Sequence, residues 1–470
     1  MRLITMPSQR QVFGLVGLAF TSLIVVTSFQ HFTGRPGLDD VVFDKLKPPS
    51  DPANKKPHVP IYKPKPTYTP PPVKDNFPLL SSVATPPPIP KWNEPRADLH
   101  KEYSLPVAPP LLIGFSRTWP ILLQAVTSYL TAGWPASQIY VVENTGVQQA
   151  NARGQLSLQN PFFMNHTQLK MLGVTIVQTP TLLSFAQLQN FYLALSYQHD
   201  WPYYFWSHMD VLALSYEDGL DGVTPRFNEA GYMTVYELAV KALKEARTED
   251  PRWGIRFFAY DHLALVNPAA YEDVGGWDTL IPYYITDCDM HSRLKMRGWS
   301  MKDAKAGIVT DVSVALADLS ALYRIDGAKP EFVDPNPPPP QPADGPMVKR
   351  GWFGSSKAGA DVDASVRDAT AEEQDKKNLD KWRALMRTAD GMWHYKHGDR
   401  GRNTWQTSQH GGKDEPFYYD AAGLAEAINI MTETGRNVYR HKWGHRDCDL
   451  VDGGGLKFED QWLVEKDWKD

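Results

Sequence analysis

Hydrophobic residues in the first half of the chain fall in short runs separated by longer amphipathic segments. Apolar runs lie at 111–113, 139–142, 174–177 and 203–206, and residues 120–133 and 185–197 carry apolar positions at helical spacing. Apolar strands that alternate with helices form a largely parallel sheet covered by helices on both faces. The pattern therefore predicts an α/β fold, in which ligands bind at the carboxyl ends of the strands.

Several polar residues follow these predicted strands and share that edge of the sheet. We take them as candidates for ligand binding, although each one alone also fits an ordinary exposed loop residue: Ser116, Arg117, Glu143, Asn144 and Asp210.

His208 lies two positions before Asp210, which puts both side chains on one face of an extended chain. A carboxylate oxygen and an imidazole are ligands for a divalent ion, and the imidazole favours manganese over magnesium. A buried histidine beside a turn aspartate is the alternative.

The N-terminal segment predicts an anchor followed by a stem. Residues 12–29 are uncharged and would span about 27 Å as a helix. Arg2 and Arg10 precede the run and acidic residues follow it, so residues 1–11 would be cytosolic and the body lumenal. A cleaved signal peptide is the alternative. The short span suits a Golgi membrane, and residues 30–104, rich in proline, predict an extended stem.

Composition narrows the remaining possibilities. The chain has 470 residues, of which 42% are hydrophobic, and a formal net charge of −5 without a long basic run, which argues against nucleic-acid binding. We expect a globular body at 105–327, a disordered Pro/Gly-rich insertion at 328–371 and a helical region at 372–470 that packs on the body.

Only two cysteines are present, which excludes a disulfide-rich scaffold and a multi-cysteine zinc module. Cys288 and Cys448 each stand between two aspartates. In an oxidising lumen they would form a disulfide, with two free buried thiols as the alternative. The one N-glycosylation sequon is Asn165-His166-Thr167, whose modification would show that the body faces the lumen.

The most informative stretch is Gly275-Gly276-Trp277-Asp278 followed by a predicted helix that starts at Thr286. We expect Thr286 to cap that helix together with Asp289, three residues on. Asp287 and Asp289 are two positions apart and so point to nearly opposite sides, which leaves Asp287 for chemistry. In the alternative interpretation, both carboxylates merely favour the helix N-terminus.

Together, His208-Met209-Asp210, the Gly-Gly-Trp-Asp turn and Thr286-Asp287-Cys288-Asp289-Met290 through Arg293-Leu294 resemble the GT-A-fold nucleotide-sugar glycosyltransferases, especially the inverting ones. The resemblance covers residues 111–311. It departs from the family at His208, where an Asp-x-Asp motif has its first aspartate, and at Thr286, where a glutamate is expected.

The resemblance implies a GT-A (Rossmann-like) mixed sheet with a C-terminal helical extension, in a type II Golgi membrane protein. It implies transfer of a monosaccharide from a nucleotide-sugar donor to a glycan or glycoprotein acceptor with inversion, Asp287 being the general base. A catalytically inactive glycan-binding or scaffold protein is the alternative.

The same resemblance implies which candidate residues would contact the donor, the metal ion and the acceptor. The donor would contact the strand-end residues above, Asp210 and His208 would hold Mn²⁺, and the acceptor would lie against Trp277, Asp278, Asp289 and His262. Independently of the resemblance, His394 or His397 in the C-terminal region would complete a metal shell, with a surface or packing role as the alternative. The basic residues Lys396, Arg400 and Arg402 would instead pair with donor phosphates.

Overall fold

A computed structural model describes residues 59–62, 64, 72–333, 366–398, 415 and 420–469. The predicted anchor at 12–29 and most of the predicted insertion at 328–371 lie outside the described residues. Within the described ranges, no helix combines the length and the apolar character needed to cross a bilayer. The helices and strands among the described residues belong to one unit, Thr69–Asp470.

A mixed sheet of seven strands forms the centre of this unit, with a separate two-stranded ribbon beside it. In chain order the strands are β1 (Leu111–Phe115), β2 (Ile139–Glu143), β3 (Thr175–Gln178), β4 (Tyr204–Ser207), β5 (Val211–Leu214), β6 (Trp253–Phe257), β7 (Leu263–Val266), β8 (Ser300–Asp303) and β9 (Ile308–Asp311). The large sheet has the order β3-β2-β1-β4-β7-β6-β8, and β5 pairs with β9.

Helices connect the strands and continue beyond the sheet. They are α1 (Pro78–Ser82), α2 (Leu99–Glu102), α3 (Trp119–Thr131), α4 (Gln148–Ala152), α5 (His166–Met171), α6 (Phe185–Gln198), α7 (Val235–Glu249), α8 (Pro268–Asp273), α9 (Thr286–Met296), α10 (Val366–His397) and α11 (Ala421–Trp443). Short 3-10 turns lie at Lys91–Asn93, Ala136–Gln138, Leu319–Tyr323 and Phe458–Asp460.

Strand directions confirm the predicted α/β class with a mixed sheet. β1 to β4 are parallel to one another, whereas β7 runs antiparallel to both β4 and β6. Successive residues of β1 serve opposite faces: Leu111 and Ile113 pack in the core cluster that contains α3 and α7, and Leu112 packs in the cluster with α6 and α9. Burial on both faces explains why β1 reads as a continuous apolar run.

The strand order reverses between β1 and β4, which predicts a crevice at the carboxyl ends of these two strands. From β1 the chain moves outward through β2 and β3 on one side, and then returns to the other side of β1 as β4. In open α/β sheets such a reversal of strand order leaves an opening that binds ligands. The turn after β4 carries His208 and Asp210, which therefore lie at this edge.

The ribbon of β5 and β9 adds a second chain segment to the same edge. Val211 pairs with Asp311, so the last residue of β9 lies beside the turn that contains Asp210. The Val312 amide also donates to the Asp210 carbonyl, at 2.9 Å.

Residues 72–104 differ from the extended stem predicted for 30–104. Phe77 and Leu80 are fully buried in the main core, and Asn93 is buried with its side-chain amide bonded to Glu217 at 2.9 Å. The segment has few apolar side chains, but Phe77 and Leu80 are large and pack against the hydrophobic core of the body. This part of the segment therefore belongs to the folded unit.

Candidate active site

Asp210 and Asp311 share one buried lysine at the edge of the sheet. Lys396, near the end of α10, donates from Nζ to Asp210 Oδ2 at 2.7 Å and to Asp311 Oδ1 at 2.5 Å. It also donates to the Val312 carbonyl at 3.2 Å, and only 3% of its side chain is exposed. Three acceptors thus match the three donors of the ammonium group.

Three histidines and a third aspartate extend this pair into a polar cluster. His208 lies 3.6 Å from both Asp210 Oδ1 and Asp261 Oδ2. His397 Nε2 lies 3.0 Å from Asp311 Oδ2, and His262 Nε2 lies 3.8 Å from Asp311 Oδ1. This polar cluster consists of seven residues: His208, Asp210, Asp261, His262, Asp311, Lys396 and His397.

Electrostatics in the cluster favour its charged forms. Burial alone would lower the pKa of His208, but the Asp261 and Asp210 carboxylates outweigh it and raise that pKa to about 10. Burial would raise the pKa of Asp210, yet the Lys396 charge and the His208 hydrogen bond lower it overall. His262 differs, because burial and the neighbouring His208 charge both lower its pKa.

Asp287 lies at the start of α9 and is half-buried. The Tyr260 hydroxyl donates to Asp287 Oδ2 at 2.7 Å, and the Tyr260 ring lies 6.3 Å from the His262 ring. The half-buried His291 interacts with both carboxylates: its low-dielectric surroundings lower its pKa, and the Asp287 and Asp261 charges oppose that shift. The turn from Tyr260 to His262 therefore links Asp287 to the Asp210 side of the cluster.

Backbone strain accompanies these residues. Tyr260 has φ 49°, and Ile285, immediately before α9, has φ 72°. Thr118, which follows the β1 loop and is the N-cap of α3, has φ 73°. β-Branched residues rarely adopt this left-handed region, and such strain concentrates at functional sites.

Helix α9 begins differently from the prediction. Its N-cap is Ile285, no side chain caps the first turn, and the buried Thr286 hydroxyl has no hydrogen-bond partner. The predicted capping by Thr286 and Asp289 is wrong because Asp289 is engaged elsewhere. Its Oδ2 pairs with Arg293 at 2.7 Å, and its Oδ1 accepts from Trp443 at 2.9 Å.

Asp278 and Asp289, both predicted to contact an acceptor, instead hold the C-terminal segment. Lys442 Nζ lies 2.8 Å from Asp278 Oδ2 and 2.8 Å from Asp289 Oδ1. Burial would raise the pKa of Asp289, but the charges of Arg293 and Lys442 lower it. Cys288 and Cys448 form a disulfide, one of the two alternatives that the sequence leaves open, so the end of α11 and the segment behind it are fixed to α9.

Trp277 lies in the core rather than on a sugar-binding surface. Only 3% of the residue is exposed, and its ring packs edge-on against Phe185 at 5.5 Å. Asn190 holds its backbone through two hydrogen bonds of 2.8 Å, one to the Trp277 amide and one to its carbonyl. Its position therefore does not support the predicted stacking on a sugar.

Three of the four donor candidates after β1 and β2 are buried: Arg117, which is only 6% exposed, Glu143 and Asn144. The fourth, Ser116, is half-buried. Glu143 accepts hydrogen bonds from His166, Gln178 and Asn151, which lower its pKa against the opposing effect of burial. Asn144 bonds the Leu183 backbone through both ends of its amide. Glu143 and Asn144 thus stabilise the crevice wall, while Ser116 and Arg117 remain candidates for donor contact.

The cluster fits an internal ammonium group better than the predicted divalent ion. Lys396 Nζ lies between Asp210 and Asp311, where a shared cation would bind. Within the described part of the chain, the group of three ligand atoms that lie within 4.8 Å of one another is His445, Asp447 and Asp449, none of which belongs to the cluster. The chemistry of the cluster is therefore that of its own side chains.

Asp311 is the cluster residue for which the sequence offers the least signal. It ends a four-residue strand whose partner, β5, begins 100 positions earlier in the sequence. Neither strand shows a pattern that specifies this pairing. Lys396 was anticipated only as one of several basic residues for donor phosphates, and its contacts with two aspartates depend on the same long-range arrangement.

No family model matches the chain, and no curated protein matches it. Among solved structures, it is similar to a cytidylyltransferase from Leptospira borgpetersenii serovar Hardjo-bovis, with 8% identical residues and a TM-score of 0.25. The similarity covers 42% of this chain and 75% of the other. At so low a score it does not bear on function.

Proposed function

We propose that this protein is a glycosyltransferase that moves a monosaccharide from a nucleotide-sugar donor to a glycan or glycoprotein acceptor with inversion. The observation that supports this most directly is the link between Asp287 and the cluster around Asp210, made through Tyr260, Asp261 and His262. A carboxylate for the acceptor and a charged edge for the donor thus belong to one continuous site.

Asp287 would act as the general base. It would take the proton from the acceptor hydroxyl as that oxygen attacks the anomeric carbon, while the bond to the nucleoside diphosphate breaks on the opposite side of the sugar. Tyr260 fixes the orientation of the carboxylate by donating to Oδ2. The crevice at the ends of β1 and β4 would hold the nucleotide, next to the half-buried Ser116 and the largely buried Arg117.

The cellular setting belongs to the same proposal. Residues 12–29 would anchor the chain in a Golgi membrane, with the folded unit in the lumen. The disulfide between Cys288 and Cys448 supports this location because such bonds persist in oxidising compartments.

The test uses the purified full chain and a panel of nucleotide sugars, and measures release of nucleoside diphosphate with and without glycan acceptors. For the donor that is turned over, Asp287→Asn should lower kcat by about 10²- to 10⁴-fold and leave donor affinity within a few-fold. Asp303→Asn, at an exposed position ending β8, is the matched control and should keep wild-type turnover.

Full turnover by the Asp287→Asn variant would show that another group is the base. Absence of turnover with every donor, together with glycan binding, would favour the inactive scaffold. That second function is motivated by His208 and Thr286, which stand where the resembled family carries acidic residues.

A further inference from the structure

Lys396 belongs to the polar cluster and lies near the end of helix α10, one face of which packs in the core. Leu385, Ala389 and Met392 are almost completely buried in the main core, and Lys396 continues their spacing of three or four residues along α10. The helix therefore presents one face to the core, and the last position of that face carries the ammonium group.

The ammonium group balances two buried carboxylates from distant parts of the chain. Asp210 lies 186 positions before Lys396 and Asp311 lies 85 positions before it. Both aspartates are nearly inaccessible to solvent, at 7% and 3% exposed. Two ionised carboxylates buried at close range are stabilised by a shared cation, whether a metal ion or a basic side chain.

We propose that Lys396 Nζ is the resident cation of this site, and that it occupies the position of a divalent metal ion and excludes one. The part of this inference that concerns the donor depends on the proposed glycosyltransferase function, whereas the exclusion of metal does not. The nucleotide-sugar site would then work without a divalent ion at Asp210 and Asp311, because Lys396 already neutralises these carboxylates.

Competition for the carboxylates explains the exclusion. A divalent ion that binds Asp210 and Asp311 would have to displace an ammonium group that already satisfies Asp210 Oδ2, Asp311 Oδ1 and the Val312 carbonyl. The displaced lysine would remain confined by the packed helix close to the metal, where two positive charges repel each other. Replacing Lys396 by an uncharged side chain removes this obstacle and leaves the two carboxylates without their shared cation.

The first experiment measures Mn²⁺ binding to the full chain by electron paramagnetic resonance. Wild-type protein and the Asp210→Asn variant should give the same titration, because any signal from His445, Asp447 and Asp449 is common to both. Lys396→Met should gain a site at least tenfold tighter than any wild-type site, and Lys396→Met combined with Asp210→Asn should lose it. A wild-type Mn²⁺ site that Asp210→Asn abolishes would overturn the proposal.

Lys442→Met is the matched control for folding, since Lys442 is an equally buried lysine that joins two other aspartates. Circular dichroism of both variants separates loss of the fold from a change in the site. If Lys396→Met does not fold, the comparison of wild type with Asp210→Asn still decides between the two outcomes.

The second experiment measures turnover of the donor identified above in EDTA and in Mn²⁺. Wild-type rates should agree within about twofold, and Lys396→Met should lose at least 100-fold in EDTA. A wild-type rate that disappears in EDTA and returns with Mn²⁺ would overturn the inference while supporting the glycosyltransferase. No turnover under either condition would count against the proposed function, and Mn²⁺ binding would still decide the role of Lys396.

Discussion

At the scale of single residues, Tyr260 holds the proposed base in place. Its hydroxyl donates to Asp287 Oδ2, and the residue adopts a left-handed backbone conformation while 58% exposed. We expect Tyr260→Phe to lower kcat by roughly 3- to 30-fold, because a hydrogen bond to a charged group contributes about 1.5–3 kcal/mol and only part of this concerns orientation. Steady-state kinetics with the identified donor and acceptor would measure this change.

Tyr197 offers a close control for that variant. It is 49% exposed and its hydroxyl donates to Glu272 at 3.1 Å, so it too is an accessible tyrosine bonded to a carboxylate. Tyr197→Phe should leave kcat unchanged. Equal losses in the two variants would mean that Tyr260 acts through general stability rather than through Asp287.

Alanine variants of Gly275 and Gly276 would distinguish the effect of backbone strain from the effect of a specific contact. Both have positive φ, at 84° and 73°, but an added Cβ at Gly275 would meet no atom within 4 Å. At Gly276 it would lie 2.8 Å from Asn190 Oδ1, the atom that accepts from the Trp277 amide. Both alanine variants therefore incur the left-handed strain, and only Gly276→Ala also disturbs the Asn190 bridge.

We expect Gly276→Ala to lower the free energy of unfolding by about 1–3 kcal/mol more than Gly275→Ala, the cost of a disrupted buried hydrogen bond. Urea denaturation of the two variants beside wild type measures the difference. Equal destabilisation would show that Asn190 adjusts without loss.

At the scale of elements, the C-terminal segment is fastened to helix α9 by a covalent bond and a polar network. Cys448 bonds Cys288, and Trp443 and Lys442 both contact Asp289. The disulfide joins positions 160 residues apart, so removing it should lower the free energy of unfolding by about 2–5 kcal/mol. A reductant should therefore shift the urea midpoint of the wild type downward.

Cys448→Ser provides the control for this shift. Its midpoint should already be low, and the reductant should not change it further. A wild-type midpoint that is insensitive to reductant under conditions that reduce the bond would show that the polar network alone fixes the segment.

Local patterns were sufficient for some elements and not for others. The strands β1, β2, β3 and β4 and the helices α3 and α6 are continuous in sequence and carry their own periodicity, so the chain predicts them closely. The pairing of β5 with β9, by contrast, depends on contacts between segments nearly 100 residues apart. The position of Asp311 in the site follows from that pairing and therefore was not predictable.

Aromatic and acidic residues near the Gly-Gly turn show a second limit of sequence reasoning. Trp277, Asp278 and Asp289 have the chemistry of a sugar site, and the structure instead places them in the core or against Lys442. A sequence shows that a side chain is capable of binding a ligand. Whether another part of the same chain already binds it depends on the tertiary structure.

At the scale of the whole molecule, the proposed lumenal orientation of the folded unit can be tested at the N-glycosylation sequon. Asn165 of the sequon is the N-cap of α5, and its Oδ1 accepts from the Gln168 amide at 3.0 Å. A glycan attaches to Nδ2 and leaves Oδ1 in place, so modification is compatible with the cap. Thr167, the third position of the sequon, is exposed.

If the body is lumenal, the full chain expressed in eukaryotic cells should carry one N-glycan, and removal of that glycan by a glycosidase should increase its electrophoretic mobility. Thr167→Ala should abolish the mobility change while retaining the Asn165 cap, whereas Thr167→Ser preserves the sequon and should retain the change. An unglycosylated wild type whose body is also digested by protease added outside intact microsomes would place the folded unit in the cytosol. Protection from protease without a glycan would instead support the lumenal orientation. It would show that the host enzyme that attaches N-glycans does not reach Asn165 before α5 forms.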